Sequence, residues 1–337
     1  MSTATAEQPV TQVAPAQAPA GDAAAAAPYE RLCGEDLIAH WGRLVARASA
    51  LLQTPEPESF VASLTALDDD LLALIKHDID RTLVVGMHAA GTTGADYCAA
   101  HSLCVALGSH LAGRVLDTME DEPMRQLRLA ALTMNIGMAR LQDQLALQDG
   151  PLAPEQKAEV DAHASAGAER LQALGVNDAD WLEAVRQHHA VAAGAPPGRA
   201  MAEQMARLIQ RLDHLIAAQS LRAHQQALAS AVAARQIYKD ENDQPDAFGA
   251  AAIKALGIYP PGTLVRLANA ELAVVLRRGL KANQPLVAAV AHDGDVRRTK
   301  KPQLRDTSQA DFAVTGALTH AELNMRLDLA VLLDLTA

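Results

Sequence analysis

Aromatic residues and cysteines are scarce in this chain of 337 residues. Only 3% of the residues are aromatic, whereas 50% are hydrophobic and most of these are alanine or leucine. Because alanine and leucine are strong helix formers, while aromatic and β-branched residues favour strands, this composition predicts a mainly helical protein. The three cysteines, Cys33, Cys98 and Cys104, show neither a CxxC spacing nor a disulfide framework, which fits a reducing compartment.

The chain also has no long hydrophobic run and no early basic cluster. Its most apolar stretch, 97–113, contains two histidines and two serines, so we interpret it as a buried helix and not as a membrane span. The first basic residue is Arg31, unlike the charged start of a secretory signal. The formal charge of -11 repels a phosphate backbone. We therefore expect a cytoplasmic protein with no membrane attachment and no general nucleic-acid binding.

The first part of the chain divides into two regions. Residues 1–28 are mainly Ala, Pro, Gln and Thr, and they are predicted to be disordered because they cannot bury enough apolar surface to offset the ordering entropy. In residues 29–95 apolar side chains recur at spacings of three and four, with a break at Pro55–Pro57. This periodicity predicts a short N-terminal helical region.

The rest of the chain is predicted to form a helical bundle followed by a small β-ribbon. Residues 96–256 have a helical pattern with short breaks, which favours one bundle. In residues 257–337 the pattern changes to two strands around an Asn269–Ala270 turn and a third strand at 285–290. We expect a loop over 293–308 and a last helix over 319–335.

Histidines and one aspartate recur along the predicted bundle. Imidazole and carboxylate groups bind divalent metals of intermediate hardness, and in bundles such ligands come from different helices. Spacing alone leaves the alternative open that these histidines only pack or face solvent. We interpret His77–Asp78 as part of a solvated helix face. His110 and His214 are also placed outside the site, since His214 points about 100° away from Asp213 on a helix. The candidate ligands are His101, His163, His188, His189 and Asp213.

Several motifs around these residues resemble the HD-GYP family, a bacterial branch of the HD phosphohydrolases. The resemblance covers roughly residues 96 to 290, and its most specific parts are His163–Leu171 and Leu256–Leu267. The other matching motifs are His101-Ser-Leu-Cys-Val, the His188-His189 pair, the segment 206–213 that ends in Asp213, and Arg222 nine residues later.

The resemblance implies an HD-type helical bundle that holds two or three Fe or Mn ions and hydrolyses cyclic di-GMP. It implies that His101 and Asp213 serve one metal, His163 and His188 a second, and that His189 faces a third. It also implies that Arg222 faces a phosphate group. Arg207 is a further candidate for phosphate binding, because arginine forms charge-assisted hydrogen bonds with phosphate.

The chain departs from the family at the His-Asp pair itself, where Met134 and Asn135 stand. Met138 replaces a lysine, Tyr97 stands where some members use glutamate, and residues 190–198 lack the charged residues and tyrosine of the GYP loop. Two dications about 3.5–4 Å apart repel by about 17–19 kcal/mol at an effective dielectric near 20. A bridging carboxylate offsets much of this repulsion and a neutral amide does not. We therefore expect no metal, or a partly occupied Fe or Mn site.

These observations predict a degenerate HD-GYP-like protein of bacterial second-messenger signalling. It would be catalytically impaired and would act by binding cyclic di-GMP or a related nucleotide, or by contacting a signalling protein. The alternative is an active metal-dependent cyclic di-GMP phosphodiesterase with an unusual metal site, supported by the five remaining ligands. A third interpretation is a structural remnant whose histidines only pack. The sequence leaves open whether the protein is an enzyme.

Overall fold

The computed structural model describes residues 32–91, 96–223, 226–294, 301–323 and 325–337. The region 1–28, predicted to be disordered, lies outside these residues. The described part is mainly helical with a small antiparallel sheet in its C-terminal part, so the predicted fold class is confirmed. No helix in the described ranges is both long and apolar enough to cross a membrane.

Two helices form the N-terminal part, α1 (Gly34–Gln53) and α2 (Phe60–Ala90). They pack together because α1 buries an apolar stripe that includes Leu37, Trp41 and Leu44. α2 is interrupted at Asp78, which has non-helical backbone angles of φ -158° and ψ 97°. Its carboxylate accepts hydrogen bonds from the Arg81 backbone N–H and from Arg277. Asp78 therefore holds a kink in α2 by an ion pair, whereas the sequence predicted a solvated helix face.

Eight helices follow and form the bundle. Nearly every residue of the first two thirds of α3 is buried, because α3 packs against α4, α8 and α10 and thus lies at the centre of the bundle. The helices are α3 (Tyr97–Leu116), α4 (Asp121–Thr133), α5 (Ala139–Leu147), α6 (Pro154–Ala173), α7 (Ala179–Gln187), α8 (Met201–Gln219), α9 (Ser230–Tyr238) and α10 (Ala247–Leu256).

A five-stranded antiparallel sheet with the order β4-β3-β2-β1-β5 follows the bundle. The predicted turn between the first two strands is confirmed, with Ala270 at φ 66°. The strands β2 and β3 are almost wholly buried, as expected for alternating and continuous apolar runs in the centre of a sheet. The strands are β1 (Leu264–Leu267), β2 (Glu271–Arg277), β3 (Leu286–His292), β4 (Gln303–Asp306) and β5 (Val314–Leu318).

The last part of the chain differs from the prediction in two places. Part of the predicted loop forms the edge strand β4, which is stabilised by the ion pair of Arg305 with Glu271 on β2. The predicted last helix is two short helices, α11 (His320–Leu323) and α12 (Leu329–Asp334). A new helix begins at α12 because the Asp328 carboxylate accepts the backbone N–H of Val331.

Candidate metal centre

His101 on α3 and Asp213 on α8 meet because these two helices approach closely. A Cβ atom built at Gly108 of α3 would lie 2.9 Å from a methyl carbon of Leu212, so the close approach requires glycine there. The His101 Nε2 and Asp213 Oδ1 atoms are 2.6 Å apart. Burial raises the pKa of the Asp213 carboxyl, but the hydrogen bond and charge of His101 and the nearby His189 outweigh burial, so the net pKa is well below its usual range. Asp213 is therefore an anionic ligand candidate.

His163 on α6 and His188 at the end of α7 point their Nε2 atoms at each other, 3.2 Å apart. The Nδ1 atom of His163 lies 2.6 Å from the Val160 carbonyl oxygen, and that of His188 lies 2.7 Å from the Val185 carbonyl oxygen. A carbonyl can only accept, so both Nδ1 atoms carry a proton, and in the neutral form of each ring the lone pair is on Nε2. Histidines that ligate metals are commonly oriented by such backbone contacts.

Burial lowers the pKa of His188 to about 3, with a smaller lowering from the neighbouring His189. The pKa of His189 is lowered too, mainly because neighbouring protein atoms remove water from part of its otherwise exposed ring. Both imidazoles are therefore neutral near pH 7, which is the form that binds metals. The rings of His188 and His189 are adjacent, with centroids 4.1 Å apart, and the His163 ring lies 5.0 Å from His189.

Two groups of potential ligand atoms result. In the first group, which we call the histidine triad, the nitrogens of His163, His188 and His189 lie within 4.8 Å of one another. The second group joins His189 and Asp213 to His214, again within 4.8 Å. The sequence placed His214 outside the site, because a helix separates neighbours by about 100°. It missed that a His189 nitrogen lies within 4.8 Å of ligand atoms of both Asp213 and His214.

Met134 and Asn135 lie in the turn that follows α4, and both are buried. This turn packs directly on α6: a Cβ atom built at Gly137 would lie 2.2 Å from the His163 carbonyl oxygen. Arg170 of α6 also donates a hydrogen bond of 2.9 Å to the Ile136 carbonyl oxygen. The turn that carries Met134 and Asn135 is thus held beside a candidate ligand.

Tyr97 stacks on His101, with ring centroids 5.6 Å apart and 15° between the ring planes. It therefore supplies an aromatic ring beside His101 where a carboxylate would serve as a ligand. Burial raises the pKa of Tyr97, and the charge of Arg222 opposes this effect. Arg222 also donates a hydrogen bond of 3.4 Å to the Ala217 carbonyl oxygen at the end of α8. The positive charge of Arg222 therefore lies close enough to Tyr97 to affect the pKa of its hydroxyl group.

Arg207 has partners that the sequence did not predict. Its guanidinium is wholly buried and donates to Asp246 Oδ2, at 3.0 Å from Nε, and to both oxygens of Glu241, at 2.8 and 2.9 Å. It also donates to the Val191 carbonyl oxygen, two residues after His189. These protein acceptors occupy the donors expected to bind phosphate. Arg207 thus joins α8 to the start of α10 and to the segment after the double histidine, and we correct its predicted role accordingly.

No family model matches the sequence. Over 278 residues the chain is 27% identical to a cyclic di-GMP phosphodiesterase of Pseudomonas aeruginosa, and the match covers 79% of this chain and 64% of that relative's length. A solved structure of an HDG"Y"P protein from Bdellovibrio bacteriovorus has a similar fold, with a TM-score of 0.50 and 16% identity over 67% of this chain and 74% of that one. Both similarities support an HD-GYP-type domain in this chain.

Proposed function

We propose that this protein is a degenerate HD-GYP-type protein of bacterial second-messenger signalling that binds cyclic di-GMP, or a related nucleotide, with little or no hydrolysis. One observation carries the proposal. Met134 and Asn135, which the resemblance aligns with the family's metal-binding pair, lie on a turn whose Gly137 packs against the backbone of His163. The turn still packs on α6, but neither Met134 nor Asn135 carries a charge.

Charge balance is the reason for the expected loss of activity. Among the described residues with a candidate ligand atom in the two groups, Asp213 brings the single carboxylate. Two dications would carry a charge of +4 against this one anion, and their mutual repulsion is about 17–19 kcal/mol at a separation of about 3.5–4 Å. Asn135 offers one neutral oxygen, and the thioether of Met134 is a poor ligand for iron or manganese. When bound, a metal pair would polarise the phosphodiester and supply the hydroxide.

Nucleotide binding needs less from the site than hydrolysis does. Arg222 brings a positive charge near Tyr97, and the exposed His189 and His214 bring hydrogen-bonding nitrogens at the edge of the site. Cyclic di-GMP is the substrate named for the Pseudomonas aeruginosa relative, which makes this nucleotide the first ligand to test. Charge-assisted hydrogen bonds from arginine can hold a phosphate without a metal.

Calorimetric titration of the whole chain with cyclic di-GMP tests the binding, with hydrolysis followed in parallel. We expect the heat of binding to saturate with added cyclic di-GMP, and we expect no hydrolysis to the linear dinucleotide. The Arg222→Ala variant should bind about tenfold more weakly, which corresponds to the loss of about 1.4 kcal/mol. The matched control is Arg235→Ala, an exposed arginine on α9, which should leave the affinity unchanged. No heat at high micromolar nucleotide would exclude the nucleotide role and leave interaction with a signalling protein.

A second candidate function is a working metal-dependent phosphohydrolase with an unusual site. It is favoured by the close pairing of His101 with Asp213, at 2.6 Å, and of His163 with His188, at 3.2 Å. Hydrolysis of cyclic di-GMP that requires added metal, and that is lost in His188→Ala, would place this function first. Heat of binding with no product, in protein that has been loaded with metal, would exclude it.

A further inference from the structure

We infer that the histidine triad binds one zinc ion, in place of the iron or manganese pair that the HD-GYP resemblance implies. The triad consists of His163, His188 and His189, and their ligand atoms lie within 4.8 Å of one another. Three histidines with an open fourth position form a known kind of zinc site. The inference deepens the proposed function, since it describes what the site can hold after the loss of the metal pair.

Distance supports a shared ion between the two buried members. Two nitrogens bound to one zinc ion at about 2.0–2.1 Å, with tetrahedral angles, lie about 3.3–3.4 Å apart. The Nε2 atoms of His163 and His188 are 3.2 Å apart. With both protons on Nδ1, these two nitrogens present lone pairs to each other, and a cation between them turns this repulsion into attraction.

Orientation supports the same conclusion. The Val160 and Val185 carbonyl oxygens each accept the Nδ1–H group of the histidine three residues later. Such outer contacts fix the ring and make Nε2 a better ligand, and their loss typically costs about 10–100-fold in metal affinity. Both contacts lie within the helical segments that carry the histidines. The buried half of the triad is thus oriented by the backbone before any ion binds.

The ligand types select zinc over iron and manganese. All three members of the triad offer imidazole nitrogens, and Asp213, whose carboxylate lies within 4.8 Å of a His189 nitrogen, is engaged with His101. Manganese and ferrous ions are the weaker binders in the order of divalent metals, and manganese prefers carboxylate and water oxygens. Asn135 and Met134 add no anion. One dication also avoids the repulsion that excludes a pair.

The fourth position of such an ion would be open to solvent. His189 is exposed, whereas His163 and His188 are buried, so the triad has one side facing water. A water molecule or a phosphate oxygen of a bound nucleotide fits this position. The zinc ion would then strengthen nucleotide binding through one phosphate group.

A rival location uses the same exposed histidine. His189 also lies within 4.8 Å of Asp213 and His214, a set with one carboxylate that suits manganese better than the triad does. The two locations share His189 and differ in their other two members, and His214 is the exposed residue that the rival needs and the triad does not. His189 and His214 have ring centroids 6.4 Å apart and provide a matched pair of variants.

The experiment titrates metal-free whole protein with zinc, manganese and ferrous ions separately and in equimolar mixture, without nucleotide, and counts bound metal per chain. We expect one zinc per chain, taken up in preference to the other two ions. His189→Ala should lower zinc affinity by more than the roughly 100-fold known for lost outer contacts, and His214→Ala should not change it. Cobalt in place of zinc should give the strong visible absorption of tetrahedral coordination, lost in His189→Ala only.

Three results would overturn the inference: zinc affinity that falls in His214→Ala as much as in His189→Ala, preferential uptake of manganese or iron, or two ions per chain. The thermal midpoint of each variant, measured without metal, checks folding, and both substituted side chains are exposed. Titration with cyclic di-GMP is a separate measurement on metal-free protein. Failure of the zinc inference and failure of nucleotide binding are therefore distinguishable.

Discussion

Two sides of the site differ in what they retain. On the α6–α7 side, His163 and His188 are buried and their nitrogens are oriented by backbone carbonyl groups. On the other side, Met134 and Asn135 are equally buried in a turn that packs on α6 through Gly137. Packing of this turn depends on glycine and on backbone contacts, whereas metal binding depends on the ligand atoms that its two side chains offer. The comparison teaches that the fold of the site can persist when its chemistry changes.

Restoring the second side should have the largest effect. The double substitution Met134→His and Asn135→Asp adds an imidazole and the missing anion to the turn beside His163. We expect the bound metal to rise to two ions per chain and hydrolysis of cyclic di-GMP to increase by about 10²–10³-fold, the range known for one charge-stabilising group. Metal analysis and product formation measure this, with Asn177→Asp, an exposed site on another turn, as the control. Unchanged metal content would contradict the claim that Met134 and Asn135 limit metal binding on this side of the site.

The histidine side also depends on a buried ion pair. Arg207→Ala would leave the buried Asp246 carboxylate with less compensation and remove the hydrogen bond to Val191 after the double histidine. Loss of one partner of a buried pair costs about 3–5 kcal/mol. The control is Arg186→Ala, whose partner Glu183 is exposed, where at most about 1 kcal/mol is expected. Urea denaturation compares the two, and equal losses would contradict the buried role of Arg207.

The turn side should be sensitive to one methyl group. Gly137→Ala would place a Cβ atom 2.2 Å from the His163 carbonyl oxygen and 2.8 Å from the Gly167 nitrogen. We expect a loss of about 3 kcal/mol, at the upper end of the usual cost of overpacking. Gly42→Ala is the control, because its Cβ would meet no atom within 4 Å and the change favours the helix by about 0.5–1 kcal/mol. Thermal unfolding should move in opposite directions for the two variants.

His88 lies away from both sides of the site, so it shows separately how burial changes the pKa of an imidazole. Burial lowers the pKa of His88 to about 4, with a smaller contribution from His320. The unfolded chain therefore binds a proton below about pH 6.5 that the folded chain does not accept until about pH 4. Stability should be full above about pH 6.5 and decrease by up to about 3 kcal/mol as the pH falls to 4.

The variant pair for this test is His88→Gln and His292→Gln, of which His292 is exposed. The free energy of unfolding, measured from pH 7 to pH 4, should depend less on pH in His88→Gln than in the original protein. His292→Gln should keep the original pH dependence. An identical slope in all three proteins would contradict the effect assigned to burial of His88.

Motifs in the sequence predicted the candidate ligand histidines, and the structure brings His163, His188 and His189 together. The helical bundle and the turn at Ala270 followed from periodicity and turn chemistry. Distances between elements did not follow. The reach of His214 and the partners of Arg207 depend on how α7 and α10 pack on α8, and no local pattern encodes these approaches.

The most direct test of the account is the metal content of the whole protein, purified from cells supplied with iron, manganese and zinc and measured per chain. The account predicts at most one divalent ion, because Asp213 is the single carboxylate among the candidate ligands of the two described groups. Two iron or manganese ions bound per chain, with Asn135 in place, would contradict the claim that the lost aspartate prevents a metal pair.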